Sequence, residues 1–314
     1  MKRFAILGLV AAGGITAVAV TAQGLPGVTS AEQVSDNLYR IPGAGGNSTL
    51  FLRANDAVLV DTKVPATGEA ILAEVRKVTD KPVGLVINTH SHPDHVGSNS
   101  FFTEAGNVQV VAHANSAARM AAGGGPMPAL KVDRTFSNSL KIGDGADAIE
   151  LHYFGAGHTD GDAFVVFPGE RAMAAGDIYA WHMAPLIDPG SGGSVLALPT
   201  TLTAAYYTID GVDKVITGHG AVRSWDEFRS YTQFNRALVQ VAESTVQNGG
   251  TEEDAYAALQ AMPSFAIFMG SDRMKGLEYG GTPRSRVKIN LTVAFQELRG
   301  EEPQLIMNLP PDQQ

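Results

Sequence analysis

The chain has 314 residues, 44% hydrophobic and 18% charged, and is long enough to bury one large core. Its formal net charge of -9 argues against nucleic acid and anionic membrane surfaces as partners, because both attract basic proteins. It contains no cysteine, which excludes disulfides and thiolate ligands, so any metal site must use histidine and carboxylate side chains.

The first 22 residues have the pattern of a secretory signal peptide. A basic start, Met1-Lys2-Arg3, precedes an uncharged apolar run at 4–20, and Val20-Thr21-Ala22 fits a small-x-small cleavage site. Export to the periplasm or out of the cell is therefore predicted, and removing Lys2 and Arg3 takes the formal charge from -9 to -11. A retained membrane anchor is the alternative, although the run is short for the span of about 20 apolar residues that a helix needs.

The mature chain alternates strand-like and helical runs. Stretches rich in β-branched and aromatic residues, bounded by turn residues, predict strands at 38–41, 49–52, 57–61, 83–88, 108–112, 149–154, 163–167, 171–175 and 214–217. Helical spacing predicts helices after the N-cap Thr67, over 116–122, and in a stretch ending at about Tyr207. This mixture, with several consecutive strands, indicates a layered α/β fold with at least one sheet buried on both faces.

The residues after 222 are predicted to be helical. Ser224-Trp225-Asp226-Glu227 is a capping box at the head of an apolar stripe, and Thr251 to Asp254 repeats the capping signal. Thr282-Pro283 is predicted to start a third helix.

These elements give a simple domain division. We predict a signal peptide at 1–22 and one domain at 30–314, in which 224–314 is a helical C-terminal extension. The Met-rich run at 262–274 is interpreted as buried packing, and a lid or a dimer contact is the alternative.

Histidines are concentrated directly after the apolar run at 83–87. His90, His92, Asp94 and His95 fall within six positions, although the whole chain has only 8 histidines. In an extended segment His90 and His92 point to the same side, whereas the intervening proline bend directs the two later residues elsewhere. Zinc binds nitrogen and oxygen ligands at about 2.0–2.2 Å, so this turn offers part of the shells of two adjacent metal sites. A solvated histidine-rich turn is the alternative.

This turn and four other motifs resemble those of the metallo-β-lactamase-fold hydrolases. The resemblance covers about residues 36–222 and includes, in the family's order, Asp61 after an apolar strand, Thr89-His90-Ser91-His92-Pro93-Asp94-His95, Gly157-His158-Thr159, Ala175-Gly176-Asp177 and Thr217-Gly218-His219-Gly220. The fold that it implies is a four-layer αββα sandwich, with two facing sheets, helices outside and extra C-terminal helices.

The resemblance also implies a dinuclear zinc site. His90, His92 and His158 would hold one metal. Asp94, His95 and His219 would hold the other, and Asp177 would bind both. Asp61 would orient part of the histidine turn, and Asp94 would also act in catalysis, by orienting the nucleophile or moving a proton to the leaving group. Iron or manganese would suit the same ligands.

The reaction implied is attack of a metal-bound hydroxide on the carbonyl of a small ester, lactone, thioester or lactam. β-Lactamase activity stays open, because one large lactamase subgroup carries Cys at the fourth motif and Lys three positions later, where this chain has Asp177 and Ala180. The aspartate resembles that of glyoxalase II and lactonases. In that lactamase subgroup the lysine pairs with the substrate carboxylate. Lys131, Arg134 and Arg171 are candidates for a basic group that replaces it in this chain. A non-catalytic metal-binding or sensing module is the alternative function.

Four further residues receive an interpretation. His113 and His152 follow or occupy strand-like runs and are interpreted as structural. Trp181 and His182 lie on the loop after the fourth motif and are candidates for the substrate cleft. The predicted partner is a small-molecule substrate, with no nucleic acid and no stable membrane association after signal cleavage, and the sequence leaves the oligomeric state open.

Overall fold

The computed structural model describes residues 27–104, 106–123, 127–269, 278–279, 282–283, 285–303 and 307–308. The predicted signal peptide at 1–22 lies outside these residues. Within the ranges given, every helix is too short or too polar to cross a membrane.

Seven strands form the first sheet, in sequence order: β1 (Glu32–Ser35), β2 (Leu38–Ile41), β3 (Ser48–Leu52), β4 (Ala57–Val60), β5 (Val83–Ile87), β6 (Gln109–His113) and β7 (Arg134–Phe136). Strands β1 to β4 pair antiparallel, and β4 to β7 pair parallel. Parallel neighbours need crossover connections. Helices supply them here: α1 (Gly68–Val78), then α2 (Pro93–Val96) with α3 (Asn99–Glu104), then α4 (Ala114–Ala122).

Six strands form the second sheet: β8 (Ser139–Ile142), β9 (Ile149–His152), β10 (Phe164–Phe167), β11 (Ala172–Gly176), β12 (Lys214–Thr217) and β13 (Arg223–Ser224). The spatial order runs from β13 back to β8, and only β11 and β12 are parallel. The crossover between these two contains a long loop and α5 (Leu198–Thr208).

Apolar side chains from both sheets meet in a central core. Phe51 of the first sheet packs on Phe167 of the second, with ring centroids 5.0 Å apart. Helix α1 buries Ile71 and Val75 against the outer face of the first sheet. Helix α5 and the C-terminal helices α6 (Trp225–Gln247), α7 (Glu252–Gln260) and α8 (Arg286–Leu298) cover the second. The predicted αββα sandwich is therefore confirmed.

The C-terminal helices begin at the predicted capping signals, with one exception. Ser224 and Thr251 form capping boxes at the heads of α6 and α7. The prediction that Thr282-Pro283 starts a helix is wrong, because these residues form β15 (Thr282–Pro283) in a small sheet with β14 (Glu278–Tyr279) and β16 (Met307–Asn308). Helix α8 starts later because the Ser285 hydroxyl accepts a hydrogen bond from the Lys288 amide and caps it there.

The Met-rich run at 262–274 is described only as far as 269. Phe268 is buried, and it stacks on Phe234 of α6 with ring centroids 4.9 Å apart. This part of the run therefore packs into the core that covers the second sheet.

Candidate metal centre

Four strands end at one edge of the sandwich and carry chemically active side chains. Asp61 follows β4, and the histidine turn follows its parallel neighbour β5. Asp177 follows β11, and His219 comes two residues after its parallel neighbour β12. The carboxyl ends of parallel neighbours lie at the same edge of a sheet. The first sheet therefore places Asp61 beside the histidine turn, and the second places Asp177 beside His219.

Backbone hydrogen bonds join the two sheets at this edge. The Asn47 amide donates to the Gly218 carbonyl at 2.6 Å, and the Ala163 amide donates to the Thr89 carbonyl at 2.7 Å. The ligand loops of both sheets are therefore held against each other.

The first group of candidate ligands contains three histidines. One ring nitrogen each of His90, His92 and His158 lies within 4.8 Å of the others. His92 Nδ1 is 2.9 Å from His158 Nε2, so the two nitrogens converge on one point. The three rings meet edge to face, with centroids 4.6 to 4.9 Å apart. This arrangement offers three of the four ligands of a tetrahedral shell for a cation.

The second group contains Asp94, His95 and His219, with ligand atoms again within 4.8 Å of one another. Asp94 Oδ2 lies 3.1 Å from His219 Nε2 and 3.6 Å from His95 Nε2. A third combination joins Asp61 to His90 and His95, but both Asp61 oxygens already accept hydrogen bonds, from Thr89 and from His95. Asp61 therefore holds the histidine turn by its hydrogen bonds.

The Asp177 carboxylate lies between the two groups. Its Oδ1 is 3.2 Å from His95 Nε2, and its Oδ2 is 3.3 Å from His219 Nε2 and 4.0 Å from His158 Nε2. One carboxylate therefore reaches side chains of both groups, as a bridging ligand requires.

In four of the imidazoles one nitrogen faces the other candidate ligands, and the second nitrogen is held by a hydrogen bond. This second nitrogen donates to a fixed oxygen: His90 Nδ1 to Thr89 Oγ1 (3.0 Å), His92 Nε2 to Asp188 Oδ2 (2.9 Å), His95 Nδ1 to Asp61 Oδ2 (2.7 Å) and His158 Nδ1 to the Leu186 carbonyl (2.6 Å). Such contacts fix the tautomer and raise the basicity of a ligating histidine. Asp188 and Leu186 were not predicted from the sequence, because the loop that carries them has no motif.

These residues fit a metal. His90 Nε2 is fully buried and has no hydrogen-bond partner, which is costly for a polar atom unless something else binds it. Imidazole nitrogens and carboxylate oxygens are the ligands that zinc prefers when no thiolate is available. Burial also lowers the pKa of His90 well below its usual value and that of His158 to about 4, so both are neutral and able to ligate.

Charge pairing dominates the second group. Burial would lower the pKa of His219, but the Asp177 and Asp94 carboxylates raise it to about 9. Burial would raise the pKa of Asp177, but His219 and His95 hold it well below its usual range. Without metal, this group is therefore a cluster of carboxylates and protonated imidazoles.

Metal binding is expected to release protons. His219 is protonated below pH 9 in the metal-free protein, so a cation must displace that proton, and affinity should rise by about tenfold per pH unit per proton up to pH 9. Calorimetry of zinc binding at pH 7, in two buffers that differ in ionisation enthalpy, measures the release. Identical heats in both buffers would contradict the expected protonation, and His219→Ala should release fewer protons than the unsubstituted protein.

The structure places the other predicted residues in different surroundings. Trp181 stacks on His219, with ring centroids 4.3 Å apart. His182 lies against Glu227 of α6, at 3.5 Å, and against the Phe268 ring, and its place in a substrate cleft stays a prediction. His113 caps α4 and stacks on Tyr153, in line with a structural role.

The three candidates for the missing basic group are all exposed. Lys131 binds Asp133, and Arg171 binds Asp213 at 2.6 Å. Arg134 begins β7, with its side chain exposed. Arg286 of α8, which no sequence motif marks, lies against Trp181.

Comparisons with known proteins agree with this geometry. A family model described as the metallo-beta-lactamase superfamily matches residues 41–179. A metallo-beta-lactamase type 2 from Bacteroides fragilis is 26% identical over 201 residues, covering 61% of this chain and 79% of that protein. A hydroxyacylglutathione hydrolase from Anaeromyxobacter dehalogenans is 28% identical over 174 residues, covering 55% of this chain and 61% of that protein.

The fold has close structural neighbours. The crystal structure of DIM-1 metallo-beta-lactamase superposes with a TM-score of 0.56 at 18% identity, covering 68% of this chain and 98% of that one. The fold, the family match and the relatives together confirm the resemblance drawn from the motifs, which is to the metal-dependent hydrolases of the metallo-β-lactamase superfamily.

Proposed function

We propose that the protein is an exported dinuclear zinc hydrolase that attacks the carbonyl carbon of a small ester, lactone, thioester or lactam and cleaves its acyl C–O, C–S or C–N bond. The position of Asp177 carries this proposal, because its two oxygens face both groups of candidate ligands. His90, His92 and His158 would hold one metal, and Asp94, His95 and His219 the other. Export is supported by the signal-peptide pattern at 1–22 alone.

The residues around the metals have separate tasks. Bound zinc supplies a Lewis acid for the scissile carbonyl and lowers the pKa of water towards 7. Asp94 Oδ2, near His219, orients the attacking water, accepts a proton from it and passes that proton to the leaving group. Asp61, Leu186 and Asp188 hold the imidazoles that surround the reacting atoms.

The relatives support a panel of substrates. One relative is a β-lactamase and another hydrolyses hydroxyacylglutathione, and both names describe attack on an acyl group. Nitrocefin, an acyl-homoserine lactone and lactoylglutathione therefore cover the lactam, lactone and thioester classes. Two zinc ions per chain and turnover of at least one substrate are expected.

Two variants make this experiment specific. His92→Ala removes a ligand and should lower kcat/KM by about a thousandfold or more, since metal ions contribute several kcal/mol to the transition state. His152→Ala changes a half-buried histidine at the end of β9 that stacks on Phe154, and it should retain activity. Bound zinc without turnover of any substrate would favour the non-catalytic module, and a protein that binds no metal would refute both functions.

A further inference from the structure

Helix α8 holds the loop that follows Asp177 at three positions. The Arg286 guanidinium carbon lies 4.2 Å from the centroid of the Trp181 ring. Asn290 Nδ2 donates to the Pro185 carbonyl at 3.0 Å. The Glu297 carboxylate accepts hydrogen bonds from Ser194 Oγ and from the amides of residues 195 and 196, at 2.8 to 3.0 Å. One helix therefore fixes both ends and the middle of the segment 181–196.

The same loop contacts three candidate metal ligands. Its Trp181 ring stacks on His219, its Leu186 carbonyl accepts from His158 Nδ1, and its Asp188 carboxylate accepts from His92 Nε2; the family model ends before this segment, at residue 179. Contacts of this kind orient ligating histidines, so anything that holds the loop also holds the ligands.

Arg286 is the unusual member of this support. It is 3% exposed, and its Nε and Nη1 are buried without a hydrogen-bond partner among the residues that the structure describes. Burial lowers its pKa only to about 10, so it remains a cation at neutral pH. A buried cation without a hydrogen-bonded carboxylate is expensive. The Trp181 face compensates part of this cost, because a desolvated guanidinium over an indole is strongly attracted.

We propose that Arg286 is a positioning residue of the metal centre, which presses the Trp181 indole flat against His219 and so couples helix α8 to the ligand loop. This inference rests on the proposed function, because it assumes that His219 binds metal. A planar guanidinium suits this contact, since guanidinium groups stack on aromatic faces, whereas an ammonium is a compact point charge on a flexible chain.

Metal affinity distinguishes positioning from simple charge repulsion. Arg286→Met should weaken zinc binding at the His219 position by about 10- to 100-fold, the usual effect of losing a contact that orients a ligand. Arg286→Lys keeps the charge without the flat group, and it should weaken binding in the same direction. Competition with a chromophoric chelator measures both constants without any substrate. Tighter binding in Arg286→Met would show that Arg286 only repels cations, and would overturn the proposal.

A matched control and an optical readout complete the test. Arg299→Met removes the arginine that directly follows α8 as its C-cap, which lies 5.5 Å from the Phe295 ring at an exposed position, and should leave zinc affinity unchanged. The chain has two tryptophans, so Trp225→Phe makes Trp181 the only reporter. In that background Arg286→Met should shift Trp181 emission of the metal-free protein to the red, because the indole is released towards water.

Each remaining result counts against the proposal. Unchanged zinc affinity and emission in folded Arg286→Met protein would reduce Arg286 to a core residue. A higher KM for anionic substrates, with zinc affinity unchanged, would make it a substrate-binding group. If the unsubstituted protein bound no zinc, the proposed function would fail first, so the two failures are distinguishable.

Discussion

Replacing Asp177 by asparagine is expected to abolish hydrolysis and to reduce the metal content of the protein. The substitution preserves side-chain size but removes the charge and one acceptor oxygen. Because Asp177 faces both ligand groups, the loss affects two metal positions at once. Metal ions contribute several kcal/mol to the transition state, so kcat/KM should fall by about a thousandfold or more. Steady-state kinetics and metal analysis of each variant measure the two effects.

Asp213→Asn is the matched control for this experiment. Asp213 lies next to β12 of the same sheet, but its carboxylate is exposed and pairs with Arg171. Exposed pairs contribute little to stability, so this variant should keep its metal and its activity. An Asp177→Asn protein with two bound metals and full turnover would remove the bridging carboxylate from the proposed mechanism.

The ligand set was accessible to sequence analysis because its members follow strands. The run at 57–61 ends at Asp61, and the runs at 83–88, 171–175 and 214–217 each end two positions before a residue of the metal centre. Residues that follow parallel neighbouring strands lie at one edge of a sheet. The predicted strands and the order of the motifs therefore indicate which side chains, far apart in the chain, lie close together. The structure brings the predicted seven side chains to this edge, although their roles as ligands stay predictions.

The supporting contacts could not be predicted in the same way. Asp188 and Leu186 lie in a loop without periodicity, and Arg286 begins a helix about 100 residues further along. The contacts of these residues depend on how α8 packs over the loop. A local sequence pattern does not predict this packing. Ala180 shows that this chain lacks the lysine that one lactamase subgroup carries three positions after the fourth motif. It does not indicate where another cationic side chain lies.

In the two large sheets, the strands missing from the sequence prediction lie at the edges. β1 and β7 are the outer strands of the first sheet, and β8 and β13 are those of the second. Edge strands are short and carry polar residues that discourage pairing between molecules. The run Arg134–Phe136 has one buried side chain in three, and Ser139–Ile142 has none in four, so neither shows the apolar signal of a central strand.

Gly218→Ala is expected to disable the metal centre while the fold persists. A methyl group at Gly218 would overlap the Asp177 carboxylate and lie 2.6 and 2.7 Å from the carbonyl carbon and oxygen of Gly176. The Gly176 backbone is part of β11 and cannot turn aside, so the β11–β12 pair must open and displace both Asp177 and His219. A displacement of about 1 Å at reacting groups costs on the order of a hundredfold in rate.

Kinetics, zinc content and circular dichroism of the Gly218→Ala protein test this expectation together. Far-ultraviolet spectra should stay close to those of the unsubstituted protein, because overpacking a site costs about 1–3 kcal/mol and the cores on both sides of the sheets are untouched. Gly106→Ala is the control, since a methyl group there meets no atom within 4 Å, and it should change none of the three measurements. Full activity and metal content in Gly218→Ala would mean that the close approach of β11 and β12 does not position the bridging carboxylate.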